Sequence, residues 1–217
     1  MSKAFDNWKN HGQPGELAHH KISRSRSNDK RWMEETEGYL SSFGYKKDDF
    51  NGKKIIDLGA GSRLRTLWFE DSYIIAIEPL ADKFKSISFC DLDKANELYS
   101  EPAEKFLDNL EGEVDAIMCV NVLDHCYDAE VIMKNCYKYL KDDGEMLLSV
   151  DLHDGRDAKH PIKLNDGILK ELVRKTGFNI KREYPIVHGL YSNSCSGITL
   201  VLDKNLEEEW WEEDAGE

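Results

Sequence analysis

The sequence lacks the paired cysteines that a disulfide framework or a structural zinc site requires. Its five cysteines are an odd number, and no two of them are spaced as Cys-x-x-Cys. We therefore expect neither a small fold cross-linked by disulfides nor a structural zinc site. The simplest interpretation is a set of reduced cysteines, several of them buried.

Long apolar runs are also missing. No stretch of about 20 apolar residues occurs in the 217-residue chain, so we expect no membrane-spanning helix and no membrane partner. The first ten residues, MSKAFDNWKN, contain no apolar signal core. A cytoplasmic protein of one domain with appendages is expected on these grounds.

Positive charge is scarce and unevenly placed. The chain has 29 lysine and arginine residues against 42 acidic residues, and its net charge is −13. Residues 203–217 contain eight acidic residues and one lysine. Because an acidic surface repels phosphate backbones, we expect no nucleic-acid partner. Residues 1–31 hold seven basic and three acidic residues, which leaves a contact of this arm with an anionic substrate open.

The order of patterns along the chain predicts three parts. Residues 1–50 are predicted to form an N-terminal helical arm, loosely structured up to residue 28 and helical from about Asp29 to Phe43. From residue 51 to residue 204, strands alternate with helices, which is typical of a mostly parallel α/β sheet covered on both faces. Residues 205–217 form an acidic tail that contains Trp210 and Trp211.

Within the central part, apolar runs predict the strands and spaced apolar residues predict the helices. The predicted strands are residues 54–58, 73–77, about 98–100, 114–120, 145–150, 178–187 and 197–202. The predicted helices are residues 62–69, 80–87, 92–98, 128–140 and 165–176. Residues 141–144, Lys-Asp-Asp-Gly, have the composition of a turn.

The strongest local signal is the run IIDLGAG at residues 55–61. A strand ends at Asp57 and Leu58, and Gly59 and Gly61 lead into the next segment. Glycine lets the backbone adopt positive φ and approach a ligand closely. Ligands of open parallel sheets bind beyond the carboxyl ends of the strands. Taken alone, the loop is equally consistent with a tight strand-to-helix turn.

A second acidic residue makes a nucleoside site the better interpretation. Glu78 ends the next predicted strand, 21 residues after Asp57, where a carboxylate can accept both hydroxyls of a ribose. Asp57 stands before the first glycine and would repel a pyrophosphate. Arg63 occupies the place of the third glycine of the dinucleotide fingerprint. A cationic cofactor with a free amino group is therefore favoured over a dinucleotide.

Five motifs in order resemble those of class I S-adenosylmethionine-dependent methyltransferases. They read IIDLGAGS, AIEPL, SEPAEKF, VDAIMCVNVLDH and LKDDGEMLLSV, and the resemblance covers about residues 50–202. It is greatest to the small-molecule group that includes the ubiquinone-biosynthesis type. The resemblance implies S-adenosylmethionine as cofactor. It also implies a Rossmann-like, doubly wound, seven-stranded sheet whose last strand is antiparallel.

The resemblance also implies a cofactor site built from residues that follow successive strands. By position these are Asp57, Gly59 and Gly61 for the methionine part, Glu78 for the ribose, Pro79 and Leu80 beside the adenine, Ala103 and Glu104 at its edge, and Cys119 and Asn121 near the methyl group. Arg63 departs from the usual glycine. Pro102 stands where many relatives have aspartate, which leaves the contact at the adenine edge open.

Two histidines are the candidate catalytic residues. His125, in Asp124-His125, resembles the Glu-His pair of the small-molecule group and has the pKa of a base near neutrality. It can equally pack against the next helix. His160 follows the fifth predicted strand, where the family builds acceptor pockets, and can equally be an exposed loop residue, as can His153.

Two further groups were considered for ligands. Asp151, His153, Asp154, Asp157 and His160 could bind a metal, but solvated loop charges are the preferred interpretation and no metal site is expected. In the arm, Trp8, His19 and His20 belong either to a disordered segment or to an extension that closes over the acceptor as a lid, as the resemblance implies.

The leading hypothesis is an enzyme that methylates a small molecule, such as a sugar or another hydroxylated metabolite, as a monomer or a homodimer. The fourth motif lacks the Pro-Pro run of enzymes that methylate amino groups of nucleic acids. The alternative is a non-catalytic cofactor-binding subunit of another enzyme. A nicotinamide-dependent oxidoreductase is disfavoured by Asp57 and Arg63.

Overall fold

Seven strands form one sheet in a computed structural model that describes residues 3–24, 29–88, 90–153, 160–186 and 196–206. The strands are β1 (Lys54–Leu58), β2 (Tyr73–Ile77), β3 (Glu97–Tyr99), β4 (Val114–Val120), β5 (Leu140–Leu152), β6 (Phe178–Ile186) and β7 (Ser196–Lys204). The α-helices are α1 (Lys3–Asn7), α2 (Gln13–Arg24), α3 (Asp29–Ser42), α4 (Ala81–Phe84), α5 (Ala129–Tyr139) and α6 (Asp166–Lys175). Short 3-10 turns occur at Arg65–Trp68, Leu92–Lys94 and Asp108–Leu110.

The strand order is β3-β2-β1-β4-β5-β7-β6. Neighbours from β3 to β5 are parallel, whereas β7 is antiparallel to both β5 and β6. The prediction of a Rossmann-like, seven-stranded sheet with an antiparallel last strand is therefore confirmed. The order reverses between β1 and β4, which places a crevice beyond the carboxyl ends of those two strands.

Alternate residues of each central strand face opposite layers of the core. In β4, Ile117 packs against the layer that contains α5 and α6, and Met118 packs against the layer that contains α3. Both side chains are almost fully buried. Because both faces of the sheet are covered, its central strands are nearly continuous apolar runs, which is why their positions could be predicted.

The predicted turn at residues 141–144 is instead a bulge within β5. The pairing of β4 with β5 passes from Val114 opposite Leu140 to Ala116 opposite Glu145, so four residues of β5 are looped out. The Lys141 ammonium donates to the carboxylate of Asp115 at 2.8 Å within this bulge. The composition is that of a turn, but pairing with β4 on both sides keeps the segment in the sheet. The predicted helices over residues 62–69, 80–87 and 92–98 are also shorter, with four, four and three helical residues.

The first part of the N-terminal arm, up to residue 28, was predicted to be loosely structured. Its described residues, 3–24, are instead helical. A π-helical turn at Trp8–Gly12 joins α1 to α2. Pro14 does not break the helix, because it lies in the first turn of α2, where a missing N–H removes no helical hydrogen bond. The Trp8 ring lies 5.2 Å from that of Tyr127, and this contact anchors the arm on the domain.

The predicted tail lies outside the described residues from Glu207 onward, as does Val187 at the end of the sixth predicted strand. Among the described helices, none has the length and the apolar character needed to cross a bilayer.

Replacing Asn165 by alanine should lower the free energy of unfolding by about 1 kcal/mol. Its side chain caps α6 by accepting a hydrogen bond from the backbone N–H of Ile168 at 2.9 Å. Urea denaturation followed by circular dichroism measures this change. Glu171→Ala is the control, because Glu171 is exposed on the same helix. Equal effects of the two substitutions would show that the cap contributes nothing.

Candidate active site

A cavity of about 350 Å³ opens at the carboxyl ends of β1, β2 and β4. This volume lies at the lower end of the range for small-molecule pockets. The predicted cofactor residues that line it are Asp57, Gly59, Gly61, Glu78, Pro79, Leu80, Ala103, Glu104 and Asn121. Both predicted catalytic histidines, His125 and His160, line the same cavity. Residues up to about 100 positions apart in the sequence therefore share one site.

Cys119 is the predicted cofactor residue that does not line the cavity. Its side chain is fully buried in the core layer on the α5 side of the sheet, where burial raises the pKa of its thiol well above the usual value. The next residue, Val120, does reach the cavity wall. The alternation of side chains along β4 therefore turns Cys119 away from any ligand.

The glycine loop after β1 is shaped by its neighbours. Gly59 and Gly61 both have φ of +63°, in the region that favours glycine. A Cβ on Gly59 would lie 2.5 Å from the Val122 side chain, and one on Gly61 would lie 2.7 Å from the His20 ring. Neither position can take a larger residue without displacing the loop or its neighbours.

Glu78 joins the loop after β1 to the loop after β2. Its two carboxylate oxygens accept hydrogen bonds from the backbone N–H groups of Gly61 and Leu80, each at 2.8 Å. Burial raises its pKa to about 7, although these two hydrogen bonds oppose the shift. Each carboxylate oxygen has a second lone pair, so the group can still accept from a ligand in the cavity.

Asp57 fixes the turn that follows the glycine loop. One of its oxygens accepts from the hydroxyl of Thr66 at 2.8 Å and from the Thr66 backbone N–H at 3.2 Å. Burial raises its pKa to about 6. Arg63 occupies the place of the third glycine of the dinucleotide fingerprint. Its guanidinium pairs with buried Asp91 and lies over the Trp32 ring.

Glu104 is fixed by hydrogen bonds from backbone N–H groups on the far side of the cavity. Its carboxylate accepts from the backbone N–H groups of Tyr127 at 2.9 Å and Asp128 at 3.3 Å. Burial raises its pKa. Asp57, Glu78 and Glu104 therefore give the cavity an acidic wall.

Asn121 has an unusual backbone at the end of β4. Its φ is +59°, which is uncommon outside glycine and is found at functional sites. Its backbone N–H donates to the Ser149 carbonyl at 2.7 Å, and its side-chain nitrogen lies 3.1 Å from Nε2 of His125. Its side-chain oxygen is buried and has no hydrogen-bond partner among the described residues.

Three histidines meet around Asp124 at the other end of the cavity. The carboxylate of Asp124 is only 1% exposed and lies 3.4 Å from Nε2 of His125 and 3.5 Å from Nε2 of His153. The His160 ring lies 4.6 Å from the His125 ring and 5.3 Å from the His153 ring, centroid to centroid. Asp154 and Asp157, also considered from the sequence, lie outside the described residues.

The N-terminal arm forms one wall of the cavity. Its lining residues are Trp8, Gln13, Glu16, His19 and His20. Nδ1 of His20 lies 2.9 Å from the Ser62 hydroxyl, and Oε1 of Glu16 lies 3.2 Å from Nδ1 of His125. Burial alone would raise the pKa of Glu16, but the neighbouring histidines outweigh it and the pKa is lowered.

Sequence reasoning identified Trp8, His19 and His20 as candidates but missed Glu16. The overlooked signal was a helix start, with Pro14 followed by an acidic residue in the first turn. A helix over residues 13–24 would have placed Glu16 on the same side as His19 and His20, one turn away.

Comparisons with known proteins agree with this geometry. A family model described as "Methyltransferase domain" matches residues 29–182. The ubiquinone biosynthesis O-methyltransferase of Psychrobacter cryohalolentis is 26% identical over 178 residues, which are 72% of this chain and 64% of that protein. The mitochondrial ubiquinone biosynthesis O-methyltransferase of Bos taurus is 29% identical over 106 residues, 46% of this chain and 29% of that protein. The chain thus spans less than two thirds of either relative.

Solved structures share the fold at low sequence identity. The 1,6-didemethyltoxoflavin-N1-methyltransferase of Burkholderia thailandensis, solved with S-adenosylhomocysteine, has a TM-score of 0.58 at 17% identity and covers 89% of both chains. The [4+2]-cyclase SpnF has a TM-score of 0.63 at 14% identity, over 89% of this chain and 94% of that one. The family match over most of the chain confirms the resemblance found in the sequence. The chain belongs to the methyltransferase domain family.

Proposed function

We propose that the protein uses S-adenosylmethionine to methylate a hydroxyl group of a small molecule, such as a sugar or another hydroxylated metabolite. One observation carries this proposal. Residues after β1, β2, β3 and β4 that match the cofactor motifs line a single acidic cavity, in a chain of the methyltransferase family. The names of the two ubiquinone O-methyltransferase relatives support oxygen as the methylated atom.

The charges of the cavity fit this cofactor. Glu78 would accept the ribose hydroxyls, and the carboxylate of Asp57 beside the glycine loop favours a cationic group over a diphosphate. Pro79 and Leu80 would flank the adenine, with Ala103 and Glu104 at its edge. Asn121 would lie near the methyl group, and the backbone of Gly59 and Gly61 would approach the methionine part.

The bound cofactor supplies a methyl group on a positively charged sulfur. The chain then has to hold the acceptor oxygen in line with that carbon, since positioning contributes much of the acceleration of such a displacement. An acceptor hydroxyl must also lose its proton. His125 and His160 are the groups that we propose to activate it, because both line the cavity beside Asn121. The arm residue Trp8 would exclude water from this end.

The purified chain should bind S-adenosylhomocysteine and should not bind NAD. Titration calorimetry with each compound measures this difference. A panel of phenols, catechols and sugars, incubated with S-adenosylmethionine, then identifies the acceptor by mass spectrometry. Binding of NAD without binding of S-adenosylhomocysteine would refute the proposed cofactor. Cofactor binding without turnover of any acceptor would favour a non-catalytic subunit.

Glu78→Ala should weaken S-adenosylhomocysteine binding roughly 30- to 150-fold, because two charge-assisted hydrogen bonds to the ribose are lost and water replaces them in part. The substitution should also lower stability by about 1–3 kcal/mol, since the buried N–H groups of Gly61 and Leu80 lose their acceptor. Calorimetry and urea denaturation measure the two effects.

Glu78→Gln should have the smaller effect on both quantities, because one acceptor oxygen remains. Glu111→Ala, at an exposed position, is the control. An unchanged affinity in a folded Glu78→Ala protein would show that the ribose assignment is wrong.

Cofactor affinity should rise with pH and level off above pH 7. The free protein holds Glu78 with a pKa of about 7, and the ribose hydroxyls favour its ionised form, so binding at lower pH must first release a proton. Between pH 6 and pH 8 the affinity for S-adenosylhomocysteine should increase about tenfold. Glu78→Gln should remove most of this dependence. An equal pH dependence in the two proteins would assign it to another group.

A further inference from the structure

We propose that Asp124, His125 and His160 form a binding site for a divalent metal ion of the zinc type at the acceptor end of the cavity. These residues each offer one ligand atom, and the three atoms lie within 4.8 Å of one another. They come from the loop after β4 and from the segment after β5, so the fold rather than the local sequence brings them together. This set differs from the loop residues that the sequence had suggested.

The distances around Asp124 fit shared coordination better than hydrogen bonding. Its Oδ2 lies 3.4 Å from Nε2 of His125 and 3.5 Å from Nε2 of His153. A charge-assisted hydrogen bond between such groups is about 2.7–2.9 Å long. Two ligand atoms that bind the same zinc ion, each at about 2.0–2.1 Å in tetrahedral geometry, lie roughly 3.4 Å apart. Nε2 of His153 lies at a similar distance from Asp124 but is not one of the three clustered ligand atoms, so it remains an outer contact.

The burial of Asp124 is an independent observation. Its side chain is 1% exposed, and neither carboxylate oxygen has a hydrogen-bond partner among the described residues. Desolvating a carboxylate without hydrogen bonds is costly. A cation between Asp124 and the imidazoles of His125 and His160 would satisfy the carboxylate.

Glu16 supplies the outer contact that metal-binding histidines usually have. Its Oε1 lies 3.2 Å from Nδ1 of His125, an ion-pair distance, so a metal on Nε2 would leave the Nδ1 proton facing this carboxylate. The side-chain nitrogen of Asn121 lies 3.1 Å from the same Nε2. Binding of a metal would require this amide to turn, which brings its unpartnered oxygen to the site.

The donor set selects the class of ion. Two imidazoles and one carboxylate suit zinc and cobalt, whereas magnesium and calcium prefer oxygen ligands. Three protein ligands leave a coordination position open, and His125 and His160 both line the cavity, so this position faces the proposed acceptor.

The catalytic role of the ion rests on the proposed function. A metal-bound hydroxyl loses its proton to water more readily, since the cation stabilises the oxyanion. The oxygen then takes the methyl group from the sulfonium, so that an alcohol and a sulfonium become a methyl ether, a thioether and a proton. His125 and His160 would then activate the acceptor as ligands rather than as bases.

Titration of the full chain with Zn²⁺, and with Co²⁺ followed by visible absorption, tests the site. The parent should bind one equivalent. Asp124→Asn and His160→Ala should weaken binding by at least about 100-fold, and Glu16→Ala by roughly 10- to 100-fold. His11→Ala is the matched control, because His11 is exposed on the π-helical turn, and it should bind as the parent does. Circular dichroism verifies that each variant is folded.

Absence of stoichiometric binding in the parent would overturn the proposal. Binding that Asp124→Asn and Glu16→Ala leave unchanged would overturn it as well, since the ion would then lie elsewhere. Titration of the metal-free chain with S-adenosylhomocysteine separates this result from the proposed function. A chain that binds the nucleoside but no metal refutes the metal site alone, and the reverse result refutes the cofactor alone.

Discussion

The hydrogen bonds of the Glu78 carboxylate hold the site together. They connect the backbone of Gly61, after β1, to that of Leu80, after β2. Backbone hydrogen bonds from Gly59 and Ala60 to the Ile77 carbonyl add a second connection at the end of β2. The Glu78 carboxylate is almost fully buried and keeps its charge at a cost, which the raised pKa reflects. One residue thus forms a structural bond inside the protein and is also the acceptor that we propose for the ribose.

The sheet was predictable because its strands are buried on both faces. Runs such as residues 54–58 and 114–120 are mostly apolar, and the glycine and acidic residues that mark the ligand crevice lie at or near their carboxyl ends. The bulge at residues 141–144 was not predictable, because its turn composition is overridden by pairing with β4. Local propensity is a weak guide wherever long-range pairing decides the conformation.

The sequence pattern predicted residues that line the cavity, His125 and His160 among them, but not the contacts that join them to the arm. Asp57, Gly59 and Glu78 follow consecutive elements at fixed spacing, so a pattern in the sequence reports them. The contact between Glu16 and His125 joins residues 109 positions apart through a helix in a segment that was predicted to be loosely structured. The buried state of Asp124 likewise depends on a packing arrangement that no local pattern encodes.

The fold by itself does not determine the chemistry of the acceptor end. A cyclase is among the proteins that share this architecture, at a TM-score of 0.63. In the present chain, a buried carboxylate lies among three imidazoles beyond β4. The identity of the acceptor therefore has to be sought from these groups and from the arm that faces them.

The family match does not include the first helices of the arm. The match begins at residue 29, so the helices that carry Trp8, Glu16 and His20 lie outside the shared domain. They nevertheless form one wall of the cavity, and His20 lies against the glycine loop at Gly61. Exchange of this one segment would replace one wall of the cavity and leave the residues after β1 and β2 intact. The shape of the cavity can therefore change without mutation of the sheet.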